Sequence, residues 1–161
     1  MSHLLLNKDP EGRVNFKKGD VLFMQEENPS FLYLIKAGQI LLIKMANKHI
    51  SVVGLVKEKE FVNEMSILTN KPTTFSAIAK SDGELICIKK ADLTTALGTG
   101  PVWMPEVFKT LCERLKSTED IIEKHNLLAG EKDSSTILNL EEEKMYHKAL
   151  EDYKALYGSK D

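Results

Sequence analysis

The sequence predicts a mainly-β domain of sandwich, jelly-roll or barrel type, followed by helices. Three observations carry this. Between residues 14 and 89, short apolar or β-branched runs recur, each closed by Gly, Asp, Asn, Pro or Ser. After Lys89, apolar residues recur at spacings of three and four, the period of helices. The length of 161 residues suits one domain with an appendage and is enough to bury a core without disulfides.

The elements follow in order. Residues 21–24 form an apolar run between Gly19-Asp20 and the turn-rich stretch 26–30. Residues 31–36 form the next, ended by Ala37-Gly38, and residues 40–45 the third, ended by a turn at 46–48. Residues 50–56 are β-branched. Residues 74–79 and 84–88 flank Ser81-Asp82-Gly83, a turn signal. Alternation along these runs is imperfect, as where some strand positions are buried on both faces. A short helix is expected over 91–97, closed by Gly98-Thr99-Gly100-Pro101. A long helix is expected over about 105–128, with Pro105 in its first turn and Glu106 favourable beside it. Its Phe108, Leu111, Leu115, Thr118, Ile122 and His125 form an a/d seam. Residues 129–138 read as a linker. A last helix over 139–158 starts at Asn139 as N-cap, with Glu142 three residues on. Its expected apolar stripe is Met145, Ala149, Tyr153 and Leu156.

Composition narrows the function classes. There are 22 basic and 24 acidic residues, a formal net charge of -2, with 42% hydrophobic and 29% charged residues. This balance argues against disorder and against a basic nucleic-acid surface. The charge is uneven: residues 131–161 hold eight acids and five bases, leaving the rest with 16 acids and 17 bases. An acidic tail repels nucleic acid and membrane phosphates. Two cysteines, Cys87 and Cys112, make no disulfide scaffold, and their bland role is that of small apolar residues. No apolar run approaches the ~18 residues of a membrane span, and Leu4-Leu5-Leu6 is too short for a signal sequence. The expectation is a cytoplasmic protein without membrane insertion.

Gly19-Asp20-Val21-Leu22-Phe23, then Leu32-Tyr33-Leu34-Ile35 up to Gly38, together with the stretch Phe61-Val62-Asn63-Glu64-Met65-Ser66 running on to Ala77, resemble the cyclic nucleotide-binding domain family. The resemblance covers roughly residues 13–128. It implies a jelly-roll-like β-roll with closing helices, and a phosphate-binding cassette at residues 61–77. In that family a short helix turns its first amides to the cyclic phosphate. A Gly lets the backbone approach, a Glu accepts from the ribose 2′-hydroxyl, and an Arg pairs with the phosphate. Glu64 stands at the ribose-binding Glu, and Met65 and Ser66 at the helix-start amides. Asn63 stands at the Gly, Thr73 at the Arg, and Phe75 at a position that is usually Ala. Thr74 stands at a Ser/Thr contact position. Lys71 brings a nearby charge but lacks the Arg fork.

The cassette is therefore degenerate, and the resemblance implies weakened or lost binding of cyclic AMP and cyclic GMP. Against that reading, each residue has a structural one: Glu64 as a solvated helix residue, Thr73 and Thr74 as strand residues, Phe75 as core. The seam could pack back on the roll or join two copies. The reading preferred is a non-catalytic signalling adaptor, homodimeric through the long helix, with an unknown protein partner. The alternative is a small-molecule sensor that binds a cyclic nucleotide or another ligand through an altered pocket. A cupin-like metal enzyme is a remote third, because His3, His49, His125 and His147 show no metal spacing. About thirty residues follow Leu128, too few for the family's winged helix-turn-helix, so no DNA partner is expected.

Overall fold

A computed structural model describes residues 9–46, 49–124 and 138–158. Eight strands and four helices follow one another: β1 (Arg13–Phe16), β2 (Val21–Phe23), β3 (Phe31–Ala37), β4 (Ile40–Ala46), β5 (His49–Val56), β6 (Phe61–Val62), α1 (Glu64–Thr69), β7 (Ser76–Ala79), β8 (Gly83–Lys89), α2 (Lys90–Gly98), α3 (Trp103–Lys124) and α4 (Leu140–Tyr157). The strands form two antiparallel four-stranded sheets, ordered β1-β8-β3-β6 and β2-β7-β4-β5. This is the mainly-β roll with C-terminal helices that the sequence predicts.

Period-two burial builds each sheet. In β1, Val14 and Phe16 point inward while Arg13 and Asn15 face water. Val14, Phe16, Leu22, Phe23, Tyr33, Ile35, Ile40, Val62, Leu85 and Cys87 fill the space between the sheets. Phe23 and Tyr33 stack there with centroids 5.8 Å apart. The turns on which the expected strands ended also touch each other. A Cβ on Gly38, whose φ is +89°, would sit 2.6 Å from the Asp82 carbonyl, and one on Gly83 would collide with the Ala37 carbonyl. Two glycines thus let the β3–β4 turn and the start of β8 pass at backbone distance.

The second sheet is apolar on both faces. Leu41, Ile43 and Ile78 are fully buried, yet they point out of the roll, away from the inter-sheet core. Helix α4 covers them. Its Asn139 accepts from the Glu142 amide at 2.8 Å while Glu142 reaches back to the Asn139 amide, the capping box expected from the sequence. Lys18 adds an ion pair to Glu142 at 3.5 Å. The buried side of α4 is Tyr146, Leu150 and Tyr153, packed on Val21, Leu41, Ile43 and Ile78. The expected stripe is rotated: Met145 and Ala149 only flank the contact, and Leu156 is 72% exposed. Tyr153 is buried as expected; Tyr146 and Leu150, one position on from Met145 and Ala149, take the deepest places, and the Tyr146 ring buries more area than Met or Ala.

Helix α3 starts two residues before Pro105, which lies in its first turn. Phe108, Leu111 and Leu115 are exposed, so the seam does not pack back on the roll. The Thr118 hydroxyl donates to the Arg114 carbonyl at 3.0 Å, within its own helix. Ile122 lies inside the span of α3; its side chain, His125, and the expected end of the helix and linker up to residue 137 lie outside the described residues.

Candidate functional site

The cassette begins where β6 ends. Asn63 precedes α1 with φ 77° and ψ 14°, a left-handed conformation. The position that the resemblance assigns to Gly thus still demands a positive φ, and Asn tolerates it better than most residues do. The side chain changes the surface that Gly would leave bare. Asn63 is 4% exposed, and its Nδ2 donates to the Phe31 carbonyl at 2.9 Å. Its Oδ1 is buried with no hydrogen-bond partner among the described residues.

Helix α1 is one and a half turns long, with Ser66 and Ile67 buried. Its end is fixed by Asn70 at φ 54°, and the amide of Lys71 donates to the Ser66 carbonyl at 3.2 Å. A short cavity opens beside it. Asn63, Glu64, Met65 and Ser66 line one side. Thr69, Pro72, Thr74 and Phe75 line the other, and Lys116 of α3 closes it. The cavity measures about 20 Å³, room for little more than one water. Phe75 contributes an aromatic wall. It is half-buried against the inter-sheet core, its ring 6.0 Å from that of Phe23.

Six of the sequence-predicted residues therefore meet around one depression: Asn63, Glu64, Met65, Ser66, Thr74 and Phe75. Thr73 and Lys71 are not among its lining residues. Lys71 is exposed on the α1–β7 connection. Thr73 is 3% exposed and faces the loop between β2 and β3. Its hydroxyl donates to the Met24 carbonyl at 2.6 Å and accepts from the Glu27 amide at 3.1 Å. Its own amide donates to the Glu27 carbonyl at 3.0 Å, and its carbonyl accepts from the Glu26 amide at 2.8 Å. At the place that the resemblance assigns to a phosphate-pairing Arg, Thr73 is buried and holds a loop.

Thr69, Pro72 and Lys116 line the depression without having been singled out in the sequence, and Lys116 alone of them lies outside residues 61–77. It stands one turn after Cys112, which is buried on a helix that packs against α1. Burial pushes the Cys112 thiol upward, and the nearby Glu64 charge adds to this. The i, i+4 relation between an apolar Cys112 and Lys116 was the available signal. The site thus offers one carboxylate, one ammonium, two or three hydroxyls and an aromatic face. Among the described residues no group of three or more His, Cys, Asp or Glu is placed to hold a metal ion. None of the described helices is long and apolar enough to cross a membrane.

Comparison with known proteins gives a consistent result. The family model of the cyclic nucleotide-binding domain matches residues 13–99. No curated protein matches the chain. Among solved structures, the chain is similar to the EAL enzyme Bd1971 in its cAMP-bound form, with TM-score 0.59 and 22% identity, over 72% of this chain and 32% of that one. It is similar to the N-terminal domain of a transcriptional regulator from Streptomyces coelicolor A3(2), with TM-score 0.54 and 22% identity, over 73% of this chain and 89% of that one. It is also similar to the regulatory subunit of a cAMP-independent protein kinase A from Trypanosoma cruzi bound to guanosine, with TM-score 0.52 and 16% identity, over 67% and 40%. At these identities the likeness is one of fold. The chain spans about a third of the length of the EAL enzyme.

Proposed function

This chain belongs to the cyclic nucleotide-binding domain family, and from that premise we propose that it is a non-catalytic regulatory module that has lost high-affinity binding of cyclic AMP and cyclic GMP and acts as a dimeric adaptor. One observation carries the reading: Thr73 is buried and spends its hydroxyl on Met24 and Glu27, so the cassette fastens a loop where relatives neutralise a phosphate. Phe75 supports it by walling a depression that has room for little more than one water.

The adaptor surface is α3. Val107, Phe108, Leu111 and Leu115 stand 42–58% exposed along one helix, more apolar area than a monomer's surface helix ordinarily shows. Two copies of that stripe, facing each other, would bury it. Light scattering of the full chain should give a dimer, and Leu115→Glu should release a monomer with unchanged circular dichroism. A wild-type monomer at high concentration would remove the dimer from the account.

A second reading has its own observation. Glu64 remains beside Ser66 and Thr74 in the lining, a carboxylate and hydroxyls suited to a ribose, while the cation there is Lys116, a point charge without the Arg fork. This is the pattern of a site for an uncharged nucleoside, and a structural neighbour is described as cAMP-independent and bound to guanosine. A nucleoside such as adenosine or guanosine should raise the melting temperature, and Glu64→Ala should abolish the shift. An unmoved melting temperature across a nucleoside panel would end this reading and leave the first one intact.

A further inference from the structure

The cassette and the tail helix meet at one loop. Residues 24–27, between β2 and β3, are held on one side by Thr73 through four hydrogen bonds of 2.6–3.1 Å, two from its hydroxyl and two from its backbone. On the other side the Tyr153 hydroxyl of α4 donates to Oε2 of Glu27 at 3.4 Å. The loop leaves directly from β2, whose Val21 lies under α4 beside Leu41, Ile43 and Ile78. Any shift of the loop therefore moves both an acceptor that α4 uses and a strand it rests on. Burial pushes the Glu27 carboxyl upward from its ordinary value, in keeping with a half-buried side chain between loop and helix.

We propose that α4 is a strap whose docking is coupled to the cassette through the 24–27 loop: withdrawal of Thr73 from the loop loosens α4 and uncovers the apolar sheet face beneath it. The face is the output. Val21, Leu41, Ile43 and Ile78 are at most 5% exposed with α4 in place, and without it they form a contiguous apolar patch on the outer face of a sheet. The resident occupant is this chain's own α4, with its Tyr146, Leu150 and Tyr153 at helical spacing. The cassette is the input, because Thr73 sits three residues before β7 and next to Thr74 and Phe75 of the depression. The coupling does not depend on which ligand the depression takes, or on whether it takes any.

Hydrogen exchange detected by NMR on the full chain tests this. Thr73→Val should lower the protection of the α4 amides about fivefold or more while leaving the β3 and β8 amides unchanged; Thr73→Ser should restore it. By reciprocity, Tyr153→Phe should lower protection at the Glu26, Glu27 and Thr73 amides. The double variant should lose less than the product of the two single losses. Unchanged α4 protection in Thr73→Val, or strictly multiplicative losses, would overturn the proposal. Should Thr73→Val fail to fold, the Tyr153→Phe limb stands alone: unchanged protection at those three amides overturns the proposal by itself.

Discussion

Truncating Tyr146 to Ala should lower the free energy of unfolding by about 3–5 kcal/mol, the range for removing a large buried ring. Tyr146 has no exposed surface and sits with Leu150 on Leu41, Ile43 and Ile78. Losing the ring leaves a hole under α4 and weakens its hold on the sheet. Tyr146→Phe separates the ring from its hydroxyl. The hydroxyl has no partner among the described residues, so its removal should be neutral or mildly stabilising, since no hydrogen bond is lost and a buried polar atom disappears. Alkaline titration gives an independent check. Burial, followed by the nearby Glu142 charge, pushes the Tyr146 phenol from 10.0 up to about 12. The folded state thus holds this proton more tightly than the unfolded state does. The stability this represents is fully present below about pH 10 and is lost as the pH rises through about 12. Ultraviolet absorbance should show a late-ionising tyrosine that becomes ordinary when α4 is undocked. A Tyr146→Ala loss below about 1 kcal/mol would mean that the helix does not rest on the sheet in solution.

The second large effect is on cyclic nucleotide affinity. Removing one partner of a buried charged pair costs about 2–5 kcal/mol. At about 1.4 kcal/mol per decade, that is roughly 30-fold to several thousand-fold. A micromolar site then weakens to about tens of micromolar at the low end of that range and to millimolar at the high end. The structure removes the obvious compensations. Lys71 is exposed on the α1–β7 connection and does not line the depression. Lys116 does line it, but from α3, as a point charge without the planar fork of Arg. Phe75 occupies room beside α1, so a ligand would also have to displace a ring packed near Phe23. The proposed weakening thus rests on two independent features, Thr73 and Phe75.

Much of this was legible locally. The Asn139–Glu142 capping box needs only four residues of sequence, and it forms as expected. The turns at Gly38 and at residues 81–83 were visible as glycine and aspartate signals, although their mutual contact was not. What escaped was non-local or too short to have a period. Strand β6 is Phe61–Val62, two residues that no alternation can reveal. Strand β7 begins at Ser76 rather than Thr74, because Thr73 is tied to a loop about 46 residues earlier in the chain. The sequence presents Thr73 as a missing Arg or as a strand residue; it lies in no strand, and its hydrogen bonds to Met24 and Glu27 depend on the closed roll. Of the stripe expected on α4, Tyr153 is buried and Met145 and Ala149 pack at its edge, whereas Tyr146 and Leu150, outside that stripe, are buried deepest and Leu156 is exposed. Lys116 was missed because α3 was read for its outer seam alone, whereas Cys112 on the other face brings that lysine to the cassette.

The central claim is that this member of the cyclic nucleotide-binding domain family no longer takes the family's anionic ligand tightly. Isothermal titration calorimetry of the full chain with cyclic AMP and with cyclic GMP measures it directly. The account predicts no saturable heat in the micromolar range for either nucleotide. Saturable binding of either with a micromolar Kd would contradict it.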